Sequence, residues 1–215
     1  MKSVLIIGLG RFGRHIAKEF CQRNVDCFGI DTVEERIDLA MPFLTNAQIG
    51  DACDEQFMGS VGVDNFDCCI VTLGDNFQNS LVVTNLLKEL GASTVISKAG
   101  NDVHAKFLLK NGADEVIFTE KETAQRLAMR LSYDNIFDCI ELTDEYSIFE
   151  IGVPKSWVGR SIIDLDVRSK YNLNVLATLN EGILSPMPSP HHIFTPYERI
   201  MVLGEMKDIK KVAKQ

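Results

Sequence analysis

The sequence predicts an α/β chain: a doubly wound parallel sheet of about six strands, followed by a small α+β module. Three observations predict it. Short β-branched apolar runs alternate with helical patterns as far as residue 135. Those runs are nearly continuous rather than alternating, as in strands covered on both faces. The first run, Ser3–Gly8, ends in Gly8-Leu9-Gly10-Arg11-Phe12-Gly13, a GxGxxG turn opening a helix, and the second, Cys27–Ile30, closes on Asp31.

In the opening βαβ unit each residue has a physical task. Gly8 permits the tight turn, Gly10 lets backbone approach a phosphate, and Gly13 lets the helix pack on the strand. The helix N-terminus offers free N–H groups and the positive end of its dipole. Phe12, Ile16 and Phe20 recur at four-residue spacing on that helix. Asp31 stands where a carboxylate accepts hydrogen bonds from ribose hydroxyls, and its charge makes NADP the least suitable ligand. This predicts a Rossmann-like nucleotide site. The competing reading is a domain of the same shape that binds nothing, and the acid argues against it.

The later strands are Ala47–Gly50, Cys68–Leu73, Thr94–Ser97 and Val116–Phe118, with a helical stripe at Val83, Leu86, Leu87 and Leu90. Ligands of such sheets lie at the carboxyl ends of the strands, so each end is a candidate. The second end carries Thr32 beyond Asp31. The third carries Gly50-Asp51-Ala52, where Asp51 either meets an adenine amino group or caps the next helix, and Ala52 offers backbone. The fourth carries Thr72-Leu73-Gly74-Asp75: Gly74 allows close approach, and Asp75 also reads as a cap. The fifth carries Ser97-Lys98, a lysine for phosphate or for solvent. Arg11 is placed to reach a terminal phosphate in its own or a neighbouring subunit; the alternative is a solvated arginine.

Past Glu120 a longer helical pattern (Ala124, Leu127, Ala128, Leu131) fades at Ser132–Asp138, the predicted linker. The predicted domains are residues 1–134 and 135–215. In the tail, Cys139–Leu142, Ser147–Val153, Asn174–Leu179 and Arg199–Leu203 read as strands, and Ser161–Tyr171 and Lys207–Ala213 as short helices. Asp144-Glu145 and Pro186–Pro190 mark turns. The two halves show no repeat.

A chain 46% hydrophobic with net charge −8 suits one good core, or one plus a small second domain, and suits neither nucleic acid nor an anionic membrane. No apolar run approaches the about 18 residues of a membrane span. Met1-Lys2 leads straight into a strand, so no signal peptide and a cytosolic location are expected. Cys21, Cys27, Cys53, Cys68, Cys69 and Cys139 form no CxxC and no zinc spacing; they read as reduced core thiols, with a redox sensor as the rival. His15, His104, His191 and His192 assemble no catalytic set, the last two lying in a proline-rich loop with no carboxylate beside them. A regulatory rather than enzymatic chain is expected. The rivals are a small NAD-dependent oxidoreductase, which would share the glycine loop and Asp31, and a nucleotide-binding adaptor.

The glycine loop, Asp31, the Gly50-Asp51-Ala52 turn and the stretch Asp114 to Glu120 resemble an RCK (KTN) domain. The tail, with Glu145-Tyr146-Ser147-Ile148 and Gly159-Arg160-Ser161-Ile162-Ile163-Asp164-Leu165, resembles the RCK C-terminal domain. The resemblance covers the whole chain. It implies a cytoplasmic regulator of a membrane potassium channel or transporter, an octameric ring of dimers activated by ATP and inactivated by ADP, with NAD or NADH bound in some relatives. By position, Gly8, Gly10, Phe12, Gly13, Asp31, Thr32, Asp51, Ala52, Leu73, Gly74 and Lys98 would line the nucleotide. Arg11 would reach the γ-phosphate of the facing subunit, and Glu120 would bind a divalent cation, Mg²⁺ or Ca²⁺, at the dimer interface. From residues alone Glu120 is an ordinary helix-start acid. Some members bind cyclic di-AMP between paired C-terminal domains; the matching positions are Ile162, Ile163, Arg168, Asn174, Val175, Pro190 and His191. Alone, Ile162 and Ile163 read as core.

Overall fold

Six parallel strands make the N-terminal sheet: β1 (Ser3–Ile7), β2 (Asp26–Asp31), β3 (Asn46–Ile49), β4 (Cys68–Val71), β5 (Val95–Lys98) and β6 (Glu115–Ile117), in the order β3-β2-β1-β4-β5-β6. The computed structural model describes residues 2–74, 76–143 and 145–213. Its two compact units are residues 1–120 and 121–215. The strand order reverses between β1 and β4, which makes their carboxyl ends the switch point of a Rossmann-like sheet.

The continuous apolar run of β1 is explained by burial on both faces. Leu5 and Ile7 join a cluster with Ile30, Val71, Val83 and Leu87. Val4 and Ile6 join another with Leu9, Ala17 and Ile70. Successive strand residues point to opposite faces, so neither face can be polar. The covering helices are α1 (Arg11–Gln22), α2 (Glu34–Ala40), α3 (Glu55–Val61), α4 (Phe77–Glu89) and α5 (Asp102–Lys110). Side chains start three of them: Asp54 caps α3, Asn76 accepts from the Asn79 N–H at 3.0 Å and Asn101 from the His104 N–H at 2.8 Å. Asp75, a predicted cap, lies outside the described residues, as does Asp144 of the predicted turn.

Helix α6 (Thr119–Ser132) precedes a second sheet: β7 (Ile136–Glu141), β8 (Tyr146–Gly152), β9 (Asn174–Asn180), β10 (Ile183–Pro186) and β11 (Arg199–Glu205), antiparallel in the order β10-β9-β11-β8-β7. Its core gathers Ile136, Phe149, Ile151, Trp157, Phe194 and Val202. Met129 of α6 and Tyr133 pack on that core, and the compact units part within α6 rather than after it. The predicted linker already contains the start of β7, because Ile136 is buried.

Two further local readings change. The predicted helix 161–171 is two short helices, α7 (Ile162–Leu165) and α8 (Val167–Tyr171), because Asp166 sits between them in the left-handed region at φ 47°. Strand β10 was not predicted. Glu181 and Gly182 both have positive φ, 49° and 82°, forming a two-residue hairpin turn, and Pro186 is tolerated because β10 is an edge strand. The chain closes with α9 (Met206–Ala213).

Candidate functional site

Strand register brings the predicted strand ends to one edge of the first sheet. Ile7 pairs with Ile30 on one side and Val71 on the other, Asp31 with Ile49, and Val71 with Ser97. Gly8, Asp31, Gly50, Thr72 and Lys98 therefore stand in a row at the carboxyl ends of successive strands, where doubly wound sheets bind ligands.

The glycines divide their tasks. Gly8 turns at φ +92°, and its N–H donates to the Ile30 carbonyl at 2.8 Å. A Cβ on Gly13 would stand 2.0 Å from the Gly8 oxygen, so α1 packs directly on the turn backbone. At Gly10 nothing lies within 4 Å of an added Cβ, leaving open space. Gly10 also begins α1, which has neither a side-chain cap nor an acid in its first turn. The unpaired N–H groups and positive dipole end are left for an external anion. Arg11 is exposed on that turn.

Asp31 is buried and doubly engaged. Oδ2 accepts from the Leu9 N–H at 2.7 Å and Oδ1 from the Val33 N–H at 2.9 Å. Arg36 Nη1 lies 3.6 Å from Oδ1. Each carboxylate oxygen has a second lone pair, so a ribose hydroxyl can still be accepted. The sequence reading missed Arg36; its only signal was a cation on the short helix just past the acid. Thr32 is exposed.

The open choice for Asp51 is resolved against capping. Asp54 caps α3, accepting from the Gln56 and Phe57 N–H groups at 2.9 and 3.2 Å. Asp51 is exposed and accepts a local turn bond from the Cys53 N–H at 2.9 Å, while Ala52 is buried. On β4's exit, the Thr72 hydroxyl donates to the Gly8 carbonyl, Leu73 is half-buried and Gly74 buried.

Lys98 is not a solvated lysine. Its stem lies against Gly74, where an added Cβ would stand 3.2 Å from Cδ. Its Nζ is 5.9 Å from the Phe12 ring centroid and 2.9 Å from Glu120 Oε1. Thr119 Oγ1 donates to Glu120 Oε2 at 2.8 Å. These two donors, Lys98 first, hold the Glu120 carboxyl down at about 2. Glu120 is thus an anion suited to a cation. Among the described residues, however, no three His, Cys, Asp or Glu side chains converge, so most ligands of a divalent ion there would come from phosphate or water.

In the C-terminal unit, Ile162, Ile163, Arg168, Asn174, Val175 and Pro190 line one pocket of about 470 Å³. Arg168 Nη2 donates to Asn174 Oδ1 at 3.0 Å. Ile163 is 56% exposed and forms pocket wall rather than core, whereas Ile162 is half-buried and also packs against the C-terminal core. His191 is outside that lining, its N–H donating to Ser189 Oγ at 3.2 Å. The expectation of no carboxylate beside His192 is corrected: Nε2 lies 2.9 Å from the buried Glu198, which also accepts from the Thr195 N–H at 2.9 Å. That cluster fastens its own loop. Burial pushes the Cys27 and Cys69 thiols up to about 11 and 12, so both act as protonated core residues.

Comparison with known proteins agrees with this geometry. Residues 4–119 match the TrkA-N domain and residues 146–215 the TrkA-C domain. The chain is 36% identical to Ktr system potassium uptake protein C of Bacillus subtilis strain 168, over 100% of this chain and 97% of that protein. It is 38% identical to Ktr system potassium uptake protein A of the same organism, over 98% of this chain and 95% of that protein. Among solved structures, the GsuK channel bound to NAD shares the fold with a TM-score of 0.73 at 15% identity; the match covers 100% of this chain and 40% of that one.

Proposed function

This chain belongs to the family in which a TrkA-N domain is followed by a TrkA-C domain, and we propose that it is the nucleotide-sensing regulatory subunit of a Ktr-type potassium uptake system. The observation that carries the reading is the uncapped start of α1 over an open Gly10, closed from behind by the Leu9–Asp31 hydrogen bond. Unpaired backbone donors of this kind take a diphosphate. The chain reads nucleotide occupancy and transforms nothing.

In this reading an adenine nucleotide, ATP or ADP with NAD or NADH as the alternative, spans residues Gly8–Gly13, Asp31, Thr32, Asp51, Ala52, Leu73, Gly74 and Lys98. The nucleotide domain with its crossover helix runs to residue 134, and residues 135–215 form the C-terminal domain. Each nucleotide is held across two subunits. Arg11 reaches a terminal phosphate across the dimer and thereby distinguishes triphosphate from diphosphate. Glu120 would hold a divalent cation, which would supply charge neutralisation for that same phosphate. The dimer angle then depends on which nucleotide is bound, and an octameric ring passes the change to a membrane potassium channel on its cytoplasmic side. Coupling of about 1–3 kcal/mol per site, summed around a ring, is enough to move a gate. The apolar and arginine-lined pocket of Ile162, Ile163, Arg168, Asn174, Val175 and Pro190, the last followed in sequence by His191, takes cyclic di-AMP as an inhibitor: apolar walls for a base, a guanidinium for phosphate.

A thermal-shift panel with ATP, ADP and NAD, each with and without Mg²⁺ or Ca²⁺, tests the reading. Stabilisation by at least one adenine nucleotide is expected. No shift with any of them overturns it. Native mass measurement tests the octamer separately.

A further inference from the structure

We propose that His104, which contacts neither the glycine loop nor Asp31, is a positioning residue for the nucleotide site: its neutral imidazole pins the Lys98–Gly100 exit of β5 against Gly74, building the wall of the cleft opposite Asp31. The proposal rests on the nucleotide reading and adds a residue to it.

Four contacts carry it. His104 is 1% exposed, yet both ring nitrogens are engaged. Nδ1 accepts from the Gly100 N–H at 3.2 Å. Nε2 lies 2.5 Å from Ser80 Oγ. Because Nδ1 must be an acceptor, the proton sits on Nε2 and is donated to Ser80, whose hydroxyl in turn donates to the Phe77 carbonyl at 3.2 Å. Every donor in the chain finds an acceptor in one tautomer only. The Phe77 ring covers the imidazole with centroids 4.8 Å apart, so the ring has little freedom to turn.

What the imidazole holds is the strand exit. A Cβ on Gly100 would stand 2.8 Å from the Gly74 carbonyl oxygen, so the two exit loops touch backbone to backbone. Gly74 in turn packs on the Lys98 stem, which presents Nζ between Phe12 and Glu120. Losing the Gly100 anchor lets Gly74 and Lys98 drift, and a displacement near 1 Å is enough to spoil a positioned contact.

The two amide isosteres separate this role from bulk packing. His104→Asn places an oxygen where Nδ1 stood and keeps an acceptor for the Gly100 N–H. His104→Gln places an amide nitrogen where Nε2 stood, keeps the Ser80 donor and loses Gly100. By calorimetry the Asn variant should bind ADP within about threefold of wild type and the Gln variant about tenfold or more weakly, one charge-free hydrogen bond being worth about that factor. Equal affinities in two folded variants overturn the proposal. Should either fail to fold, the wild type decides by NMR: ADP must shift the Gly74 and Gly100 amides and the His104 ring nitrogens together with the Gly10–Gly13 amides. Movement of the glycine loop alone overturns the role of His104 while leaving the nucleotide reading intact, and no ADP binding at all overturns both.

Discussion

The Leu9 N–H donates to Asp31 Oδ2 at 2.7 Å, inside a buried corner. The same carboxylate accepts from the Val33 N–H at 2.9 Å. The acid expected to serve a ligand is therefore also a strut of the glycine loop. Any substitution at Asp31 changes two things, and they are separable by isostere.

Asp31→Ala leaves two backbone donors without a partner in a buried site. A loss of about 1–3 kcal/mol in unfolding free energy is expected, along with nucleotide binding. Asp31→Asn keeps an acceptor for one of the two N–H groups and sets an amide N–H₂ against the other, so it should lose part of that stability, less than Asp31→Ala, while binding nucleotide more weakly. Urea midpoints at unchanged m-value, set beside calorimetric affinities, check both halves.

Gly10 and Gly13 make an opposed pair. An alanine Cβ at 13 meets the Gly8 oxygen at 2.0 Å and must displace backbone, so Gly13→Ala should cost about 1–3 kcal/mol of stability. An alanine Cβ at 10 meets nothing within 4 Å and should leave the urea midpoint in place. It occupies the space a phosphate needs, so Gly10→Ala should lose adenine-nucleotide binding by about tenfold or more. A Gly10→Ala protein that binds normally would displace the phosphate from this loop.

The contrast shows why part of this site was legible in sequence. Residues acting through backbone geometry announce themselves: Gly8, Gly10 and Gly13 sit at fixed spacing because turn, approach and packing have no other solution. Strand β1 was legible for a similar reason, since Val4 to Ile7 had to be apolar on both faces. Contacts between distant side chains left no local mark. Nothing in the order of residues paired Lys98 with Glu120, Arg36 with Asp31 or His104 with Ser80. Strand β10 was lost because an exposed edge strand ending in Pro186 carries neither apolar alternation nor burial. Asp51 was read as a possible cap, but Asp54, three residues later, takes that place.

Lys98, with Thr119 as the second donor, holds Glu120 well below its ordinary 4.5, at about 2. The sign follows from the depressed value: the stabilisation is complete above the ordinary pKa and is lost as pH falls toward 2. Glu120 is 64% exposed at its side chain, so solvent screening leaves the pair worth well under about 1 kcal/mol. Lys98→Met should return the Glu120 carboxyl toward its ordinary range, visible by carboxyl-carbon NMR titration, with little change in melting temperature at neutral pH. A Glu120 that still titrates near 2 in that variant would show another cation to be its partner.

Among the described residues Arg168 is the one cation lining the pocket of Ile162, Ile163 and Asn174, and it donates to Asn174 at 3.0 Å. Arg168→Ala removes the guanidinium without touching the core, which is built from Trp157, Phe149 and their neighbours. The variant should lose saturable cyclic di-AMP binding and keep ADP binding unchanged. Equal cyclic di-AMP affinity in variant and wild type would remove this pocket from consideration.

Arg11 tests the sensing step itself. It stands exposed on the first turn of α1, beside backbone donors that suffice for a diphosphate. A diphosphate therefore needs no guanidinium here, whereas a third phosphate brings charge that the amides alone do not match. Arg11→Ala should bind ADP within about twofold of wild type and lose most of any preference for ATP. Because a ligand shifts a two-state equilibrium only by its differential affinity, the difference in potassium flux between ATP and ADP should collapse with it. Reconstitution with the channel subunit in vesicles, with flux followed under each nucleotide, reads this directly. Flux that still separates ATP from ADP in the Arg11→Ala protein would place the sensor elsewhere.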